Sequence, residues 1–275
     1  MSLWLVFMNV VVCNDTSKGT HFGCHLVMDA IYQQLKRIKA NVIQKFFIGN
    51  TNINIPNNTN LILVNGEGSV HHGRNPHWIN LASRYPKIPA VFFNAVWEKN
   101  PNWDCMKKFR LVTVRESFSL KQLPSSVEGK ILPDVAFVSP KLLNFKAGVP
   151  KKDICRTDNV VNKHLPINKE ILYAKNCRDP LSYIQNMSMY KRVCTGRHHG
   201  ACVAASLGIP FSAWPSNTHK ILGMMTDMGI PHHHYETEEL ALKNVPTEFD
   251  ERITSYVKEA RENIVSFFDN LKNII

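Results

Sequence analysis

The sequence predicts a mixed α/β fold in which parallel strands alternate with helices. Residues 3–12 form an almost unbroken apolar run rich in valine, as expected of a central strand that is buried on both faces. Residues 21–38 then carry apolar side chains at helical spacing. The order of strand, loop and helix recurs along the first half of the chain, which is the pattern of a doubly wound sheet.

The other elements of the first half follow the same rule. Short apolar runs bounded by turn-forming residues predict strands, and polar loop residues follow each of them. The predicted strands after the first are residues 42–48, 61–64, 89–97, 111–114 and 130–132. The predicted helices after the first are residues 77–84 and a short helix that ends at Leu123.

The second half is predicted to form a smaller lobe. Residues 138–166 contain Pro, Lys and Asn with little periodicity, so we interpret them as the crossing between the lobes. A strand at 170–174 and a helix at 181–192 are expected to follow. The predicted boundaries are 1–140 for the N-terminal lobe, 141–165 for the crossing, 166–245 for the C-terminal lobe and 246–275 for a long amphipathic C-terminal helix.

The stretch 194–229 predicts a turn, a helix, a strand and a second helix. Arg197 and His198 stand where the first helix begins, and Gly208 stands where it ends. A helix N-terminus at the edge of a sheet is a site for an anion such as phosphate, because its free N–H groups and its dipole favour negative charge.

The second helix of this stretch is predicted to begin in the same way. Ser216, Asn217 and Thr218 offer three possible N-caps, and Lys220 lies in the first turn. Both helix starts would then open on one edge of the sheet, which strengthens the prediction of an anion site.

Further candidate side chains follow the predicted strands, at the edge where ligands bind in α/β sheets. Glu67 stands between Gly66 and Gly68, which would let the backbone approach a ligand closely. A carboxylate in this position could accept a proton from a hydroxyl group. The other candidates at strand ends are Asp15, His21, Ser69, His72, Asn94, Arg115, Asp134 and Arg178.

The composition indicates a basic protein of a reducing compartment. The formal net charge is +11 and the pI is about 9.3, which favours polyanionic partners but is equally typical of an ordinary basic enzyme. Two small basic clusters stand at 36–39 and 106–110. The seven cysteines include no CxxC pair and are odd in number, so we expect free thiols and a cytoplasmic location.

Several protein classes lack their motifs here. No segment reaches the roughly 20 apolar residues of a membrane span, and the apolar start lacks the positive region of a signal peptide. Neither a Walker loop nor a Gly-x-Ser-x-Gly elbow is present. The histidine pairs and the run at 232–234 lack the spacing of a zinc site, so no metal is expected.

Five motifs carry a resemblance to a known family. Residues 14–23 are similar to its first loop and helix, and residues 64–69 to a strand followed by Asn-Gly-Gly-Gly-Ser. Residues 114–119 are similar to an Arg-x-x-x-Ser element, and residues 133–137 to a Pro-Asp-Pro-Ala segment. Residues 195–210 with Lys220 are similar to an Arg-x-His, Gly-x-Pro and Lys signature, the most specific of the five. In this order the motifs resemble those of the polysaccharide pyruvyl transferase family.

The resemblance implies a fold like that of GT-B glycosyltransferases, with two Rossmann-like lobes, a cleft between them and a long C-terminal helix. The chain departs from the family at Glu67, where the family has glycine. It also departs at Arg197-His198-His199, where the family has Arg-Leu-His. By spacing His199 takes the place of the family's histidine, with His198 as the alternative.

A group transferase is therefore expected, and the leading hypothesis is glycosyl transfer from a nucleotide sugar to an acceptor hydroxyl. The base would be Glu67 or His72, and less readily Asp15 or His21. The donor would be bound by Arg197, His198 or His199, Ser216, Asn217, Thr218, Lys220, Gly66, Gly68 and Ser69. The side chains lining the cleft would be Asn94, Arg115, Asp134 and Arg178. No cofactor would be required, and the basic charge favours hydroxymethylcytosine in double-stranded phage DNA as acceptor.

Two alternatives stay open. The first is the family's reaction, pyruvyl transfer from phosphoenolpyruvate to a glycan, with Arg197 and His199 binding the phosphate and carboxylate of the donor. The second is a non-catalytic ligand-binding homologue, for which Glu67 in place of glycine would be the mark. The oligomeric state is also left open.

Overall fold

Two parallel β-sheets form the framework of the protein. The computed structural model describes residues 8–67, 70–74, 76–160, 171–174, 177 and 179–275. Within these residues, the first sheet consists of β1 (Asn9–Asp15), β2 (Asn41–Phe47), β3 (Leu61–Asn65), β4 (Ala90–Ala95), β5 (Leu111–Val114) and β6 (Gly129–Ile131). The second consists of β7 (Lys152–Asn159), β8 (Ile171–Leu172), β9 (Tyr190–Gly196) and β10 (Phe211–Ala213). The strand orders are β2-β1-β3-β4-β5-β6 and β10-β9-β7-β8, and neighbouring strands run parallel.

Helices connect and cover these strands. In the described residues they are α1 (Phe22–Arg37), α2 (Pro76–Ile79), α3 (Leu81–Arg84), α4 (Ser117–Gln122), α5 (Pro140–Leu143), α6 (Pro180–Ser188), α7 (His198–Leu207), α8 (Lys220–Asp227), α9 (Glu238–Lys243) and α10 (Glu251–Asp269). The predicted mixed α/β class with parallel sheets is confirmed. The arrangement is that of a Rossmann-like α/β fold.

The segment predicted to cross between lobes contains a strand. β7 has buried side chains on one face only, at alternate positions, so it carries no continuous apolar run. It is nevertheless a central strand, because β8 and β9 pair with its two edges. The prediction of an irregular crossing at 141–165 was therefore wrong for this part.

Smaller corrections concern helix ends. The helix predicted at 181–192 is α6, which ends at Ser188, because Tyr190 already pairs with Lys152 as the first residue of β9. The helix predicted at 77–84 is divided into α2 and α3. A 3₁₀ turn, Val135–Val138, begins after Asp134, so only part of the segment 133–137 lies in it.

One apolar core joins the two sheets. Its buried side chains include Val10 of the first sheet, Val193 of the second and Phe22 of α1. The ring of Phe22 stacks on Tyr183 of α6 with 3.6 Å between the centroids, so a helix that follows β1 contacts a helix that precedes β9. Because both sheets bury side chains in the same cluster, the position of one is fixed relative to the other.

The long C-terminal helix packs across this core as predicted. α10 begins where the Asp250 carboxylate accepts a hydrogen bond of 2.9 Å from the N–H of Arg252. Its apolar stripe is buried, and Phe267 stacks on Phe93 of β4 with 5.4 Å between ring centroids. In the described part of the chain, no helix combines the length and apolar character that a membrane span requires.

Gly223 in α8 tests how closely this helix packs against the start of α4. A Cβ at Gly223 would lie 2.3 Å from a carboxylate oxygen of Glu116, which is fully buried at the start of α4. Gly223→Ala normally stabilises a helix by about 0.5–1 kcal/mol. Here we expect the free energy of unfolding to fall by about 1–3 kcal/mol, because the buried carboxylate has to move.

Urea denaturation followed by circular dichroism measures this change. Gly148→Ala is the control, because Gly148 is exposed and an added Cβ meets nothing within 4 Å. A Gly223→Ala variant at least as stable as the parent protein would contradict the predicted close contact.

Candidate active site

A cavity of about 200 Å³ lies where strands of both sheets end. Five of the residues lining it directly follow the last residue of a strand: Gly66, Val96, Arg115, Val160 and Arg197. The other described residues that line it are His21, Cys24, Glu67, His71, His198, His199, Asn217, Thr218 and Lys220. The cavity therefore stands at the carboxyl edges of the sheets, the usual ligand position in parallel α/β folds.

Asp134 is the centre of a buried charge network beside this cavity. One of its carboxylate oxygens lies 2.9 Å from Nη1 of Arg115 and 3.0 Å from Nε2 of His198. The same oxygen lies 3.2 Å from Nε2 of His199, and the other accepts a hydrogen bond from the N–H of Ala136. Asp134 thus links the ends of the first sheet to the start of α7.

The network sets the charges of its members. Burial acts to raise the pKa of Asp134, but Arg115 and the two histidines outweigh it and hold that pKa well below the ordinary 3.8. Burial lowers the pKa of His198 to about 4, although the contact with Asp134 acts in the opposite direction. Asp134 is therefore a carboxylate at neutral pH, and His198 is a neutral imidazole.

Arg115 retains unused hydrogen-bonding capacity. Its Nε donates to the side-chain oxygen of Asn94 at 3.0 Å, and its Nη1 pairs with Asp134. Its Nη2 is buried and has no hydrogen-bond partner among the described residues. Because a buried unpaired donor is costly, this nitrogen on a residue that lines the cavity is suited to an anionic ligand.

Arg197 is held by a partner from β7. Its guanidinium makes two hydrogen bonds to the carboxylate of Asp158, one of them 2.9 Å long. Its own N–H donates to the hydroxyl of Thr195 at 3.0 Å. This two-point pairing fixes the guanidinium plane at the cavity wall.

Glu67 also faces the cavity and is 3% exposed. One carboxylate oxygen accepts a hydrogen bond of 2.5 Å from the hydroxyl of Thr16, and the other lies 3.4 Å from the sulfur of Cys24. Burial, and then the charge of Glu67, raise the pKa of the Cys24 thiol well above 9.0. Cys24 is therefore a protonated neighbour of Glu67 and is unsuited to act as a nucleophile.

Lys220 brings a further cation to the cavity. Its Nζ donates to the side-chain oxygen of Asn217 at 2.6 Å. Burial, followed by the charge of Arg115, lowers the pKa of Lys220 to about 8. The ammonium is consequently charged at neutral pH but titrates within the range accessible to experiment.

The start of α8 is attached to the first sheet. His219 precedes the helix, and its N–H donates to the Glu98 carboxylate at 2.8 Å. Its Nε2 lies 3.2 Å from an oxygen of Glu116. Both carboxylates belong to loops at the end of the first sheet, so contacts across the two sheets hold Lys220 in position.

The helix starts agree only in part with the sequence prediction. α7 begins at His198 directly after Arg197, and Gly208 ends it with a left-handed φ of 68°. α8 carries Lys220 in its first turn as predicted, but Ser216, Asn217 and Thr218 do not cap it. His219 occupies the cap position, and its own N–H donates to Glu98.

Two of the predicted bases lie outside the cavity lining. Asp15 is fully buried, and its carboxylate accepts hydrogen bonds from Tyr32 and from the N–H of Ser17. His72 is exposed and lies 3.8 Å from Glu98, whereas its neighbour His71 is buried and lines the cavity. Sequence alone could not choose between the adjacent histidines, because His72 has a left-handed φ of 55° that no local sequence pattern predicts.

The remaining candidates divide into three groups. His21 lines the cavity and caps α1, and burial lowers its pKa well below 6.5. Asn94, Asp134 and Ser216 are not among the described residues that line the cavity, although Asn94 and Asp134 fix Arg115. The candidates outside the described residues are Gly68, Ser69 and Arg178.

Comparison with known proteins places this chain in a family. The model of the family "Polysaccharide pyruvyl transferase" matches residues 21–213, about seven-tenths of the sequence. The chain belongs to the polysaccharide pyruvyl transferase family. The matched range begins at His21 and includes Glu67, Arg115 and Arg197, so it contains much of the cavity wall.

The fold of this polysaccharide pyruvyl transferase family member also occurs in a solved structure. An uncharacterised protein from Klebsiella pneumoniae subsp. pneumoniae NTUH-K2044 aligns with a TM-score of 0.56 and 15% sequence identity, over 84% of this chain and 94% of that one. This likeness concerns the fold alone. A search of the curated proteins finds no match.

Membership in the family supports the prediction of a transferase and favours transfer onto a polysaccharide. Of the functions predicted from the sequence, it supports pyruvyl transfer better than glycosyl transfer. Neither the nucleotide-sugar donor nor phage DNA as acceptor is supported by the comparisons.

One group of side chains has the composition of a metal site. Asp134, His198 and Cys202 place one ligand atom each within 4.8 Å of one another in the described structure. Arg115, however, lies 2.9 Å from the Asp134 oxygen, and its fixed positive charge would repel a cation there. The carboxylate is better explained as the partner of Arg115 and the histidines.

The buried network predicts a large effect at Asp134. Asp134→Asn leaves Arg115 buried without its charge partner, so we expect the free energy of unfolding to fall by about 3–5 kcal/mol. Because the pKa of Asp134 is depressed when folded, its contribution is present above pH 3.8 and is lost as the pH falls below that value.

Denaturant titrations at pH 7 test this stability change. The control is Asp153→Asn, because Asp153 pairs with Arg192 at the surface and its side chain is 67% exposed. Equal, small losses in the two variants would contradict a central role for Asp134.

Lys220 gives a pH-dependent prediction for anion binding. The charge of sulfate is constant between pH 7 and pH 9, whereas Lys220 loses its proton with a pKa of about 8. Sulfate binding measured by calorimetry should therefore weaken about tenfold from pH 7 to pH 9. In Lys220→Arg the fall should disappear, because guanidinium keeps its charge. An unchanged fall in this variant would exclude Lys220 as its origin.

Proposed function

We propose that the protein transfers the pyruvyl group of phosphoenolpyruvate to two hydroxyl groups of a polysaccharide, forming a ketal and releasing phosphate. The observation that carries this proposal is the cavity in which Arg115, Arg197 and Lys220 meet. Three cations around a small volume suit a donor that bears both a phosphate and a carboxylate. Family membership supports the same reaction.

The size of the cavity favours a small donor. Its volume of about 200 Å³ lies below the range of about 300–1,000 Å³ that is usual for drug-sized ligands. A three-carbon phosphate ester is far smaller than a nucleotide sugar. This is the physical reason for preferring phosphoenolpyruvate over the nucleotide-sugar donor that the sequence first suggested.

Before the donor binds, each of the two arginines at the cavity is paired with an aspartate. Asp134 pairs with Arg115, and Asp158 pairs with Arg197. Each guanidinium is thus oriented before the ligand arrives, so little reorganisation accompanies binding. In this proposal the free Nη2 of Arg115 and the ammonium of Lys220 bind the donor's anionic groups.

The reaction balances without a cofactor. The first acceptor hydroxyl adds to C2 of phosphoenolpyruvate while C3 gains a proton and becomes a methyl group. The C2–O bond to phosphate then breaks, and the second hydroxyl adds to C2 to close the ketal. One hydroxyl proton thus replaces the proton consumed at C3, and the other leaves with the phosphate.

Two side chains are assigned to proton transfer. Glu67 accepts the proton of the attacking hydroxyl, because its carboxylate is fixed at the cavity by Thr16. His199 delivers the proton to C3, and Asp134, 3.2 Å away, stabilises the imidazolium form. His198 is hydrogen-bonded to Asp134 and has a pKa near 4, so it orients the carboxylate instead.

The two sheets would have different tasks. We propose a GT-B-like division in which the N-terminal lobe, residues 1–140, binds the acceptor beside Glu67 and contributes Arg115 to the donor site, and the second lobe binds the donor through Arg197 and Lys220. The domain boundaries predicted from the sequence and the predicted cleft between the lobes are parts of this proposal. The C-terminal helix would hold the two parts together through the shared core.

Glu67→Gln tests the reaction. We expect turnover to fall about 10²–10⁴-fold, because the general base is lost. The affinity for phosphoenolpyruvate should stay within about twofold, since the amide is isosteric and does not contact the donor in this scheme. Phosphate release from phosphoenolpyruvate and mass gain of oligosaccharides with neighbouring hydroxyl pairs provide the measurement.

The control is Glu128→Gln, which changes an exposed glutamate in the same half of the chain. Calorimetry with phosphoenolpyruvate and with a panel of nucleotide sugars identifies the donor directly. Binding of a nucleotide sugar without binding of phosphoenolpyruvate would overturn the proposed function. Full turnover in Glu67→Gln would overturn only the role of that residue.

A further inference from the structure

A second and larger cavity lies at the opposite edge of the first sheet. Its volume is about 760 Å³. Three of its lining residues directly precede strands: Asn60 before β3, Pro89 before β4 and Arg110 before β5. Because all strands of this sheet are parallel, these residues mark its amino edge, whereas the candidate active site is at the carboxyl edge.

The charged side chains of this cavity are of one sign. Lys87, Lys107, Lys108 and Arg110 line it and are exposed. No acidic residue is among its described lining residues, and none of the four cations forms an ion pair within the described part of the chain. We call this surface the basic amino edge, and its unpaired charges favour a negatively charged partner.

The four cations are placed by the fold and do not form a flexible tail. Phe109 lies between them in sequence, is 7% exposed, and packs on Phe92 of β4 with 5.7 Å between ring centroids. The N–H of Arg110 donates to the carbonyl of Ala90 at 2.9 Å. The surface is therefore attached to the sheet itself, and two distant chain segments contribute to it.

More positive charge lies along the same edge. Lys36 and Lys39 are exposed at the end of α1, directly before β2. Lys272 is exposed after α10, close in sequence to Ile274, which lines the cavity. Lys36, Lys39 and Lys272 therefore add to the four cations that line the cavity.

The basic amino edge is too far from the active site to bind the same small molecule. β4 has six residues and spans about 20 Å from one edge of the sheet to the other. Only an extended polymer could contact both edges at once. The separation therefore excludes this surface from the donor pocket.

We propose that the basic amino edge binds a carboxylate-bearing polysaccharide, namely the product chain of the protein's own reaction. The inference rests on the proposed function, since each transfer leaves the donor's carboxylate on the polymer as part of the ketal. A polysaccharide that has been modified several times carries one carboxylate for each ketal, whereas its unmodified segments lack these carboxylates. The surface would hold modified segments while a new segment enters the active site.

Binding of labelled polygalacturonate, a polysaccharide with one carboxylate per sugar, tests this inference by fluorescence anisotropy. Neutral dextran of equal length is the comparison polymer. We expect binding of polygalacturonate that weakens as salt increases, and at least tenfold weaker binding of dextran. Lys107→Glu/Lys108→Glu should weaken polygalacturonate binding about tenfold, because two attractions become repulsions.

The matched control is Lys146→Glu/Lys151→Glu, which changes net charge equally at exposed positions away from this cavity. This control variant should change the affinity for polygalacturonate less than twofold. Equal losses in the two double variants, or equal binding of dextran, would overturn the proposal. So would tighter binding of double-stranded DNA or of phosphatidylglycerol vesicles than of polygalacturonate, because each would identify another partner.

The binding assay needs no turnover, so its outcome is separate from that of the proposed reaction. In the reaction assay, Lys107→Glu/Lys108→Glu should leave phosphate release on a short oligosaccharide unchanged. On a long polysaccharide the same variant should lower the number of ketals added per binding event. An equal loss on short and long acceptors would contradict a surface that acts only through the polymer.

Discussion

The contact of one buried carboxylate with three nitrogen-bearing side chains holds the candidate active site together. Asp134 receives Arg115 from the first sheet and His198 and His199 from the helix that follows β9. A buried charge is tolerated only when it is paired, and Arg115 supplies this pairing for Asp134 from the same half of the chain. The two histidines add contacts from α7, and these contacts join the carboxyl edges of the two sheets beside the cavity.

The same pairing prepares the cavity for an anion. Arg115 and Arg197 are each oriented by an aspartate, which keeps their guanidinium groups rigid without using every N–H. Among the residues that the structure describes, Lys220 has no carboxylate partner of this kind and interacts with Asn217. A site that holds its cations in fixed directions binds negative charge with little rearrangement.

Local signals made the strands of the first half, and in part the helix starts, predictable from sequence. Arg197, Gly208 and Lys220 are found where capping rules and apolar periodicity placed them, because these rules depend only on neighbouring residues. β7 was missed because its stability comes from two neighbouring strands and not from its own apolar content. The pairing of Arg197 with Asp158 joins residues 39 positions apart, so no local pattern could reveal it.

The attachment of α8 has a mechanical consequence. Lys220 belongs by sequence to the second sheet, yet His219 beside it is bonded to Glu98 and Glu116 of the first. These contacts and the shared core therefore fix the helix start to both sheets. An anion held by Lys220 together with Arg197 would add a further connection between the carboxyl edges, so that ligand binding would make this part of the protein more rigid.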